Sequence, residues 1–441
     1  MNFIKKHFPA LGLGFLVLSA TVLSFTRISG TTAKAPLTQK CLIVSDIHFN
    51  PFYGTTVGDS VLKKKLENAS FAEWKQYFEG FAPQMAINSN LLFKDANYGV
   101  LQSALFNMKK RLPDPAFILI AGDFIWHGAT PADSVLKKKC ILFIAGLLKE
   151  YFPNALIIPA MGNNDTYGQD YALQDSKFLN DFASAWEPNL PGPSADSLKA
   201  RGYYTAETGN LRLVVINTAS LNLGSNYKPQ ADAMLKWLDN NLANANGKNV
   251  WILMHIPPGI NAFNKKNFWN VASSDAFVHT IVKHAASVKL IIGSHVHLND
   301  FKVVYDNARM PKPVALMRIV PSICSNHGNN PSFEVAEFNT ATGNIVNETN
   351  WYLNLATIPK DKETQQLTWT DTLNTAKSLE MKGLSAVDFS KLIDHIKADK
   401  TGQMIKHYAD FYDVGTKADS AIFINHATYM NYLKADSLRE K

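Results

Sequence analysis

Seven side chains that could hold metal ions recur at one kind of place along this 441-residue chain: just after a short apolar run. They fall in five clusters: Asp46-Ile47-His48, Gly122-Asp123, Gly162-Asn163-Asn164-Asp165, His255, and Gly293-Ser294-His295-Val296-His297. Asp46, His48, Asp123, Asn163, His255, His295 and His297 form an oxygen and nitrogen donor set without cysteine, which suits first-row divalent metals. Seven donors exceed what one tetrahedral ion takes. Two ions about 3.5–4 Å apart, sharing one carboxylate, accommodate them. In both Asp46-Ile47-His48 and His295-Val296-His297 an apolar residue separates the donors, which predicts an extended segment presenting both on one side. Taken singly, each cluster has an ordinary structural reading as a solvated turn or a satisfied core histidine. The ordered set of five points to a metal centre.

The elements that must position these clusters are the apolar runs themselves. Cys41–Val44, Phe117–Ile120, Leu156–Ile158, Leu213–Ile216, Val250–Met254 and Leu290–Ile292 read as strands buried on both faces. Helical stretches such as Tyr98–Leu112 and Ser134–Lys149 lie between them, giving an alternating α/β layout. In such sheets ligands collect at the carboxyl ends of the strands, so the five clusters should converge. Val314–Val320, Phe333–Phe338 and Ile345–Tyr352 have no long helix between them and are expected as an antiparallel continuation. The whole is expected as a two-sheet α/β sandwich.

Three flanking regions complete the layout. Residues 1–35 carry Lys5 and Lys6 ahead of an apolar run from Ala10 to Phe25, then small residues, the pattern of a signal peptide or an N-terminal anchor. An extracytoplasmic location, periplasmic or secreted, is therefore expected. An insertion over residues 54–97, rich in lysine and aromatics, is long enough to cap a site or merely to decorate the surface. Residues 359–441 are expected as a small helical subdomain. Within them, Ser385 and Asp388 match a capping box, and Val387, Phe389, Leu392, Ile393 and Ile396 are read as one helical face.

Composition narrows the function classes. With 46% hydrophobic and 18% charged residues the chain is neither disordered nor low-complexity. The formal charge of +7 drops to +3 once the four cations of residues 1–35 are set aside, which is an ordinary surface balance and indicates no nucleic-acid partner. Three cysteines, Cys41, Cys140 and Cys324, cannot build a disulfide framework. No protein partner is indicated.

The clusters, in their order, resemble the calcineurin-like metallophosphoesterase superfamily. Gly122-Asp123 with Trp126-His127, His255-Ile256-Pro257-Pro258-Gly259, Asn299-Asp300-Phe301, Asn329 to Phe333 and Trp351 to Leu355 are similar to the acid sphingomyelinase-like phosphodiesterases. The resemblance covers about residues 41 to 360 and implies a four-layer α/β/β/α catalytic domain, over residues 40–358, with two divalent ions, commonly zinc, with iron or manganese as alternatives. It implies that Asp46, His48, Asp123 and His297 hold the first ion and Asp123, Asn163, His255 and His295 the second. The implied reaction is in-line attack on a phosphodiester by a hydroxide held between the ions. His127 would protonate the leaving oxygen.

This sequence departs from that pattern in several ways. Asn164 stands where most of the superfamily has a histidine acting at the leaving group; an amide can donate a hydrogen bond to phosphate but delivers no proton. Ser294 replaces a glycine before the last histidine pair. No cysteine-rich lipid-presenting domain stands before residue 41, so a lipid substrate and contact with a membrane surface would fall to the insertion or the helical tail. Three classes of function follow: a phosphodiesterase acting on a choline phospholipid or nucleotide-type substrate, a metal-containing phosphate-ester binding protein with little turnover because of Asn164, and a structural exported protein whose histidines are core residues.

Overall fold

The computed structural model describes residues 37–52, 60–80, 85–222, 227–306, 311–358, 367–416, 425–427 and 431–433; the leader at residues 1–35 lies outside them. The apolar runs become two sheets. The first has the order β12(Asp371–Asn374), β11(Ile345–Tyr352), β10(Ser332–Asn339), β1(Thr38–Val44), β2(Ile118–Ile120), β3(Ile157–Pro159). The second has the order β13(Tyr432–Leu433), β8(Asp300–Tyr305), β9(Pro313–Ile319), β7(Val288–Gly293), β6(Asn249–Leu253), β5(Leu211–Val215), β4(Tyr204–Thr208). β1 to β3 run parallel, as do β5, β6, β7 and β9; antiparallel pairings extend each sheet outward, and β13 joins β8 in parallel at one edge.

Strand alternation sets the layers. In the second sheet Val214, Ile252 and Ile291 pack with Met234, Leu238, Phe277 and Ile281 of two covering helices, while Leu213, Val215, Trp251, Leu253, Leu290 and Ile292 face the first sheet. Trp251 joins the sheets directly, its ring 5.8 Å from Phe117 and 5.2 Å from Phe338. The helices, in chain order, are α1(Ser60–Asn68), α2(Phe71–Glu79), α3(Tyr98–Arg111), α4(Ser134–Tyr151), α5(Ser176–Trp186), α6(Gly192–Arg201), α7(Lys228–Ala243), α8(Val271–Lys283), α9(Thr375–Ser378), α10(Ala386–Ala398) and α11(Gln403–Tyr412). α7 and α8 cover the second sheet, and α3 and α4 belong to the core built on the first. The result is the four-layer α/β/β/α sandwich.

Three expectations need correction. The runs at 314–320, 333–338 and 345–352 are an antiparallel continuation only in part: β10 and β11 pair antiparallel with β1 and with each other in the first sheet, whereas β9 pairs parallel with β7 in the second. Val387 is 45% exposed, while Phe389, Leu392, Ile393 and Ile396 are buried. At roughly 100° per residue Val387 points away from the face those four share. The donor-bearing turns are not extended, as shown below.

The insertion is divided in space. α1 and α2 lie along α4, tied by Lys63–Asp133 and Lys75–Glu150 contacts of 2.6 Å each, with Phe78 packed on Phe49, Tyr98 and Phe143. Its last part, residues 93–95, reaches the strand ends instead. Beyond residue 367 the chain meets both sheets, through β12 on β11 and β13 on β8, while Phe389 of α10 packs on Phe301, the rings tilted and 4.6 Å apart.

Candidate metal centre

The donors follow the carboxyl ends of β1, β2 and β3 in one sheet and of β6 and β7 in the other, so the site straddles the sandwich. They do not sit on extended backbone. Asp46 (φ 45°), His48 (40°), Asp123 (57°), His295 (77°) and His297 (65°) all occupy the left-handed region. Each such residue costs of order 1–3 kcal/mol and persists only where its surroundings over-determine it. Here the hydrogen bonds Asp46 N–H to Gly122 O and His48 N–H to Asp123 O, both 3.0 Å, and Ser294 N–H to His255 O at 2.8 Å lock the turns together. The donors still converge, through tight turns in place of an extended strand end.

Close approach of two of these turns needs a glycine. A Cβ on Gly162 would stand 2.0 Å from Asp123 Oδ1. The Asp123 carboxylate therefore occupies space that any side chain at 162 would take.

Asp123 lies between two donor groups. His48 Nε2 is 3.4 Å from Asp123 Oδ2 on one side, where His297 Nε2 also lies 3.4 Å from Asp46 Oδ1. On the other side His255 Nε2 lies 3.1 Å from Asp123 Oδ2 and 3.1 Å from Asn163 Oδ1. Ligand atoms of Asp46, His48 and Asp123 lie within 4.8 Å of one another, as do those of Asp123, His255 and His295, and those of His48, His127 and His297. All seven predicted donors are thus brought together, with Asp123 common to both sides.

The surroundings aim the donors inward. His48 Nδ1 hydrogen-bonds Ile125 O at 2.8 Å and His255 Nδ1 bonds Ala121 O at 2.7 Å, which turns each Nε2 into the cluster. Asn163 Nδ2 donates to Asp170 Oδ1 at 2.7 Å, leaving its Oδ1 to face His255. Ser294 Oγ donates to Asp46 Oδ2. Two polar atoms are then left over: Asp46 Oδ1 and His48 Nε2 are buried and find no hydrogen-bond partner among the described residues. Burying such groups unpaired costs kcal/mol each, and a divalent cation among these donors would satisfy both. The residues present therefore fit divalent cations.

Electrostatics agree. Burial alone would push the His48 and His255 imidazolium pKa down, but the neighbouring Asp123 and Asp46 carboxylates lift both to about 9. His295 goes the other way, to about 3, through burial and the nearby His255. Against the penalty of burial, His297, His255 and His48 hold the Asp46 carboxyl well below its usual range, and His255 and His48 do the same for Asp123.

His127 stands at the edge of this cluster, its ring stacked on His48 at 3.8 Å. Asp95 grips it twice, Oδ1 at 2.6 Å from His127 Nδ1 and Oδ2 accepting the His127 backbone N–H at 3.0 Å. Asn164 does not face outward: its backbone N–H and its Nδ2 both donate to Asp123, at 2.8 and 3.0 Å. Sequence reasoning missed Asp95, Asp170, Tyr171 and the Asn326-His327 pair, which reach the site from separate loops. Tyr171 hydroxyl is 3.3 Å from His295 Nε2, Asn326 Nδ2 is 3.2 Å from His127 Nδ1, and the His327 ring lies 4.4 Å from that of His297. Asp165, three residues past Gly162, accepts the backbone N–H groups of Asp123, Phe124 and Gly162.

Comparison with known proteins places this geometry. The chain is 28% identical over 286 residues to a protein named sphingomyelinase phosphodiesterase C of Dictyostelium discoideum, covering 59% of this chain and 63% of that one. It is 27% identical over 287 residues to acid sphingomyelinase-like phosphodiesterase 3b of Mus musculus, covering 59% and 61%. A cyclic GMP-AMP phosphodiesterase of Bos taurus is 25% identical over 344 residues, covering 72% and 73%. The chain thus spans about three fifths of the length of the first two relatives. The profile described as calcineurin-like phosphoesterase matches residues 40–299, well over half of the chain and the stretch that holds all seven donors, and the protein belongs to that family.

Proposed function

We propose that this protein is a dinuclear metal-dependent phosphodiesterase. The observation that carries the reading is the pair of buried, unpartnered atoms, Asp46 Oδ1 and His48 Nε2, beside an Asp123 carboxylate within reach of two donor groups. Asp46, His48, Asp123 and His297 would hold one ion and Asp123, Asn163, His255 and His295 the other. When bound, two such ions, with zinc the first candidate and iron or manganese compatible with the same donors, lower the pKa of a water and neutralise phosphate charge.

The chain's own residues supply the rest. Asp95 accepts from His127 Nδ1, so Nε2 is the nitrogen that holds a proton for the departing oxygen. Asn326 Nδ2, next to the same ring, restricts its rotation. Asn164 orients the Asp123 carboxylate, leaving the proton transfer to His127 alone. The relatives' names include sphingomyelin and cyclic GMP-AMP phosphodiesterases, which supports a small-molecule or lipid phosphodiester as substrate.

Metal content per chain, measured together with hydrolysis of bis(p-nitrophenyl) phosphate with and without a chelator, tests this. Two ions per chain and chelator-sensitive turnover are expected. The Asn164 substitution favours one other reading, a phosphate-ester binding protein; metal and saturable ester binding without product would establish it in place of the enzyme. No metal uptake from zinc or manganese would overturn both.

A further inference from the structure

Among the described residues, the large apolar side chains left exposed include three aromatics, Phe93, Tyr171 and Phe263, and each packs on the centre or on the 325–328 loop that reaches it. Tyr171 sits edge-on to His295, with ring centroids 5.9 Å apart. Phe263 lies 5.9 Å from His327, whose own ring lies 4.4 Å from His297. Phe93 is held by hydrogen bonds on either side of Ser325, from its own N–H to Ser325 O at 2.8 Å and from Ser325 N–H to Lys94 O at 3.1 Å. Its ring packs over Gly328, so closely that a Cβ there would meet it at 2.6 Å. Phe93 and Phe263 are 66% and 61% exposed.

Burial does not account for these rings, and two backbone features show that the fold sustains a cost to present them. Phe93 (φ 63°) and Tyr171 (φ 64°) lie in the left-handed region, where a bulky side chain is strained. Phe263 and Lys265 belong to a short hairpin, closed by the Ile260–Asn267 bridge and the hydrogen bonds Asn261 N–H to Lys266 O and Phe268 N–H to Gly259 O. The base of that hairpin is anchored at the site by Phe268, edge-on to His295 at 5.6 Å.

Charge then selects among flat-ring and cationic ligands. Lys94 follows Phe93 in the chain, Lys265 and Lys266 follow Phe263 by two and three residues, and all three lysines are exposed. The nearby acids are already engaged, Asp95 with His127 and Asp170 with Asn163. An aromatic cage for a quaternary ammonium gains nothing from adjacent lysines. A planar heteroaromatic ring with further anionic phosphate gains from both the rings and the lysines.

Resting on the phosphodiesterase reading above, we infer that Phe93, Phe263 and His327 form a stacking subsite, with Lys265 and Lys266 as its anion contacts, for the base and outer phosphate of a nucleotide-type diester in preference to a choline phospholipid. The subsite lies on the His127 side of the cluster, where the departing group would leave.

Titration calorimetry of the metal-loaded protein with AMP, ADP and phosphocholine tests this without requiring turnover. AMP is expected to bind at least roughly tenfold more tightly than phosphocholine, and F263A and F93A to weaken AMP by roughly five- to a hundredfold, the range for loss of a base–aromatic stack. F263W should retain AMP binding and F263L, with similar bulk but no ring, should lose it. K265A combined with K266A should remove the advantage of ADP over AMP. The inference is overturned if phosphocholine binds as well as AMP, or if F263A and F263L weaken both ligands equally. Absence of chelator-sensitive diester hydrolysis would sink the enzymatic reading instead, and the AMP titration would still decide this one.

Discussion

Two buried clusters in this protein are built from the same residue types and behave in opposite ways. Around Asp300, each carboxylate oxygen is engaged: Oδ1 accepts from Phe301 N–H at 2.7 Å, Tyr408 hydroxyl at 2.7 Å and Asn431 Nδ2 at 2.9 Å, and Oδ2 meets His426 Nε2 at 2.6 Å. Around Asp46, only three residues upstream of Phe49 and lying against His297, Oδ1 and the neighbouring His48 Nε2 have no partner among the described residues. Both oxygens of the Asp300 carboxylate are paired, in a network that ties β8 to the C-terminal segments. Asp46 sits in a network left open among the described residues, one that a cation would complete. Satisfaction of the donors, more than their identity, separates a structural aspartate–histidine pair from a ligand pair.

Removing the shared ligand should have the largest effect. Asp123→Ala deletes the one carboxylate common to both donor groups, so metal uptake should fall to background and turnover by several kcal/mol, roughly 10⁴-fold. Plasma emission analysis alongside bis(p-nitrophenyl) phosphate hydrolysis reads both. Gly162→Ala should mimic much of this without touching a ligand, because its Cβ would displace Asp123 Oδ1. Full metal content in G162A would mean that the turn yields, and that the cluster is less constrained than its hydrogen bonds indicate.

His127 and Asp95 come next. His127→Ala should slow diesters of alkyl alcohols roughly 10³-fold, in line with general acid catalysis, and aryl diesters far less, since a phenolate leaves without a proton. Asp95→Asn should cost about 10- to 100-fold on the alkyl series while leaving metal content intact, as loss of an orienting partner does. Equal losses on alkyl and aryl esters in H127A would remove His127 from the acid's role. Loss of metal in that variant would instead make it a ligand, which its proximity to His48 and His297 allows.

The contrast between legible and illegible features follows the same physics. The donors could be read because buried parallel strands announce themselves as apolar runs, and the chemistry of an α/β sheet gathers at their ends. Strand β8 (DFKVVY) escaped notice because Asp300 and Lys302 are buried polar residues whose pairing comes from distant segments. The turns at Asp46-Ile47-His48 and His295-Val296-His297 read as extended because alternation is the only local signal; their left-handed backbone is imposed by hydrogen bonds to Gly122, Asp123 and His255, residues remote in sequence. Asp95, Asn326 and His327 sit in loops without periodicity, so nothing local marks them. Val387 misleads for a simpler reason: its apolar side chain suggests the core, but its helical angle turns it to solvent.

Asp300→Asn offers the smallest and sharpest test of the comparison. Burial opposes ionisation of Asp300, yet His426 and Lys302 hold its pKa at about 2, below the roughly 3.9 of an unfolded aspartate. A depressed folded pKa contributes stability that is fully present above the unfolded value and is lost as pH falls from about 4 through 2. The contribution is about 2–3 kcal/mol, so wild type should lose that much more between pH 7 and pH 2 than D300N, read from urea midpoints at each pH. D300N should meanwhile keep its full metal content at pH 7, because the Asp300 carboxylate is bonded to Phe301, Tyr408, His426 and Asn431 and to no side chain of the metal cluster. Asp300 lies only three residues beyond His297, which makes this a demanding requirement. Metal loss in D300N at pH 7 would mean that the β8 network sets the position of the last histidine, and the two clusters would then have to be treated as one.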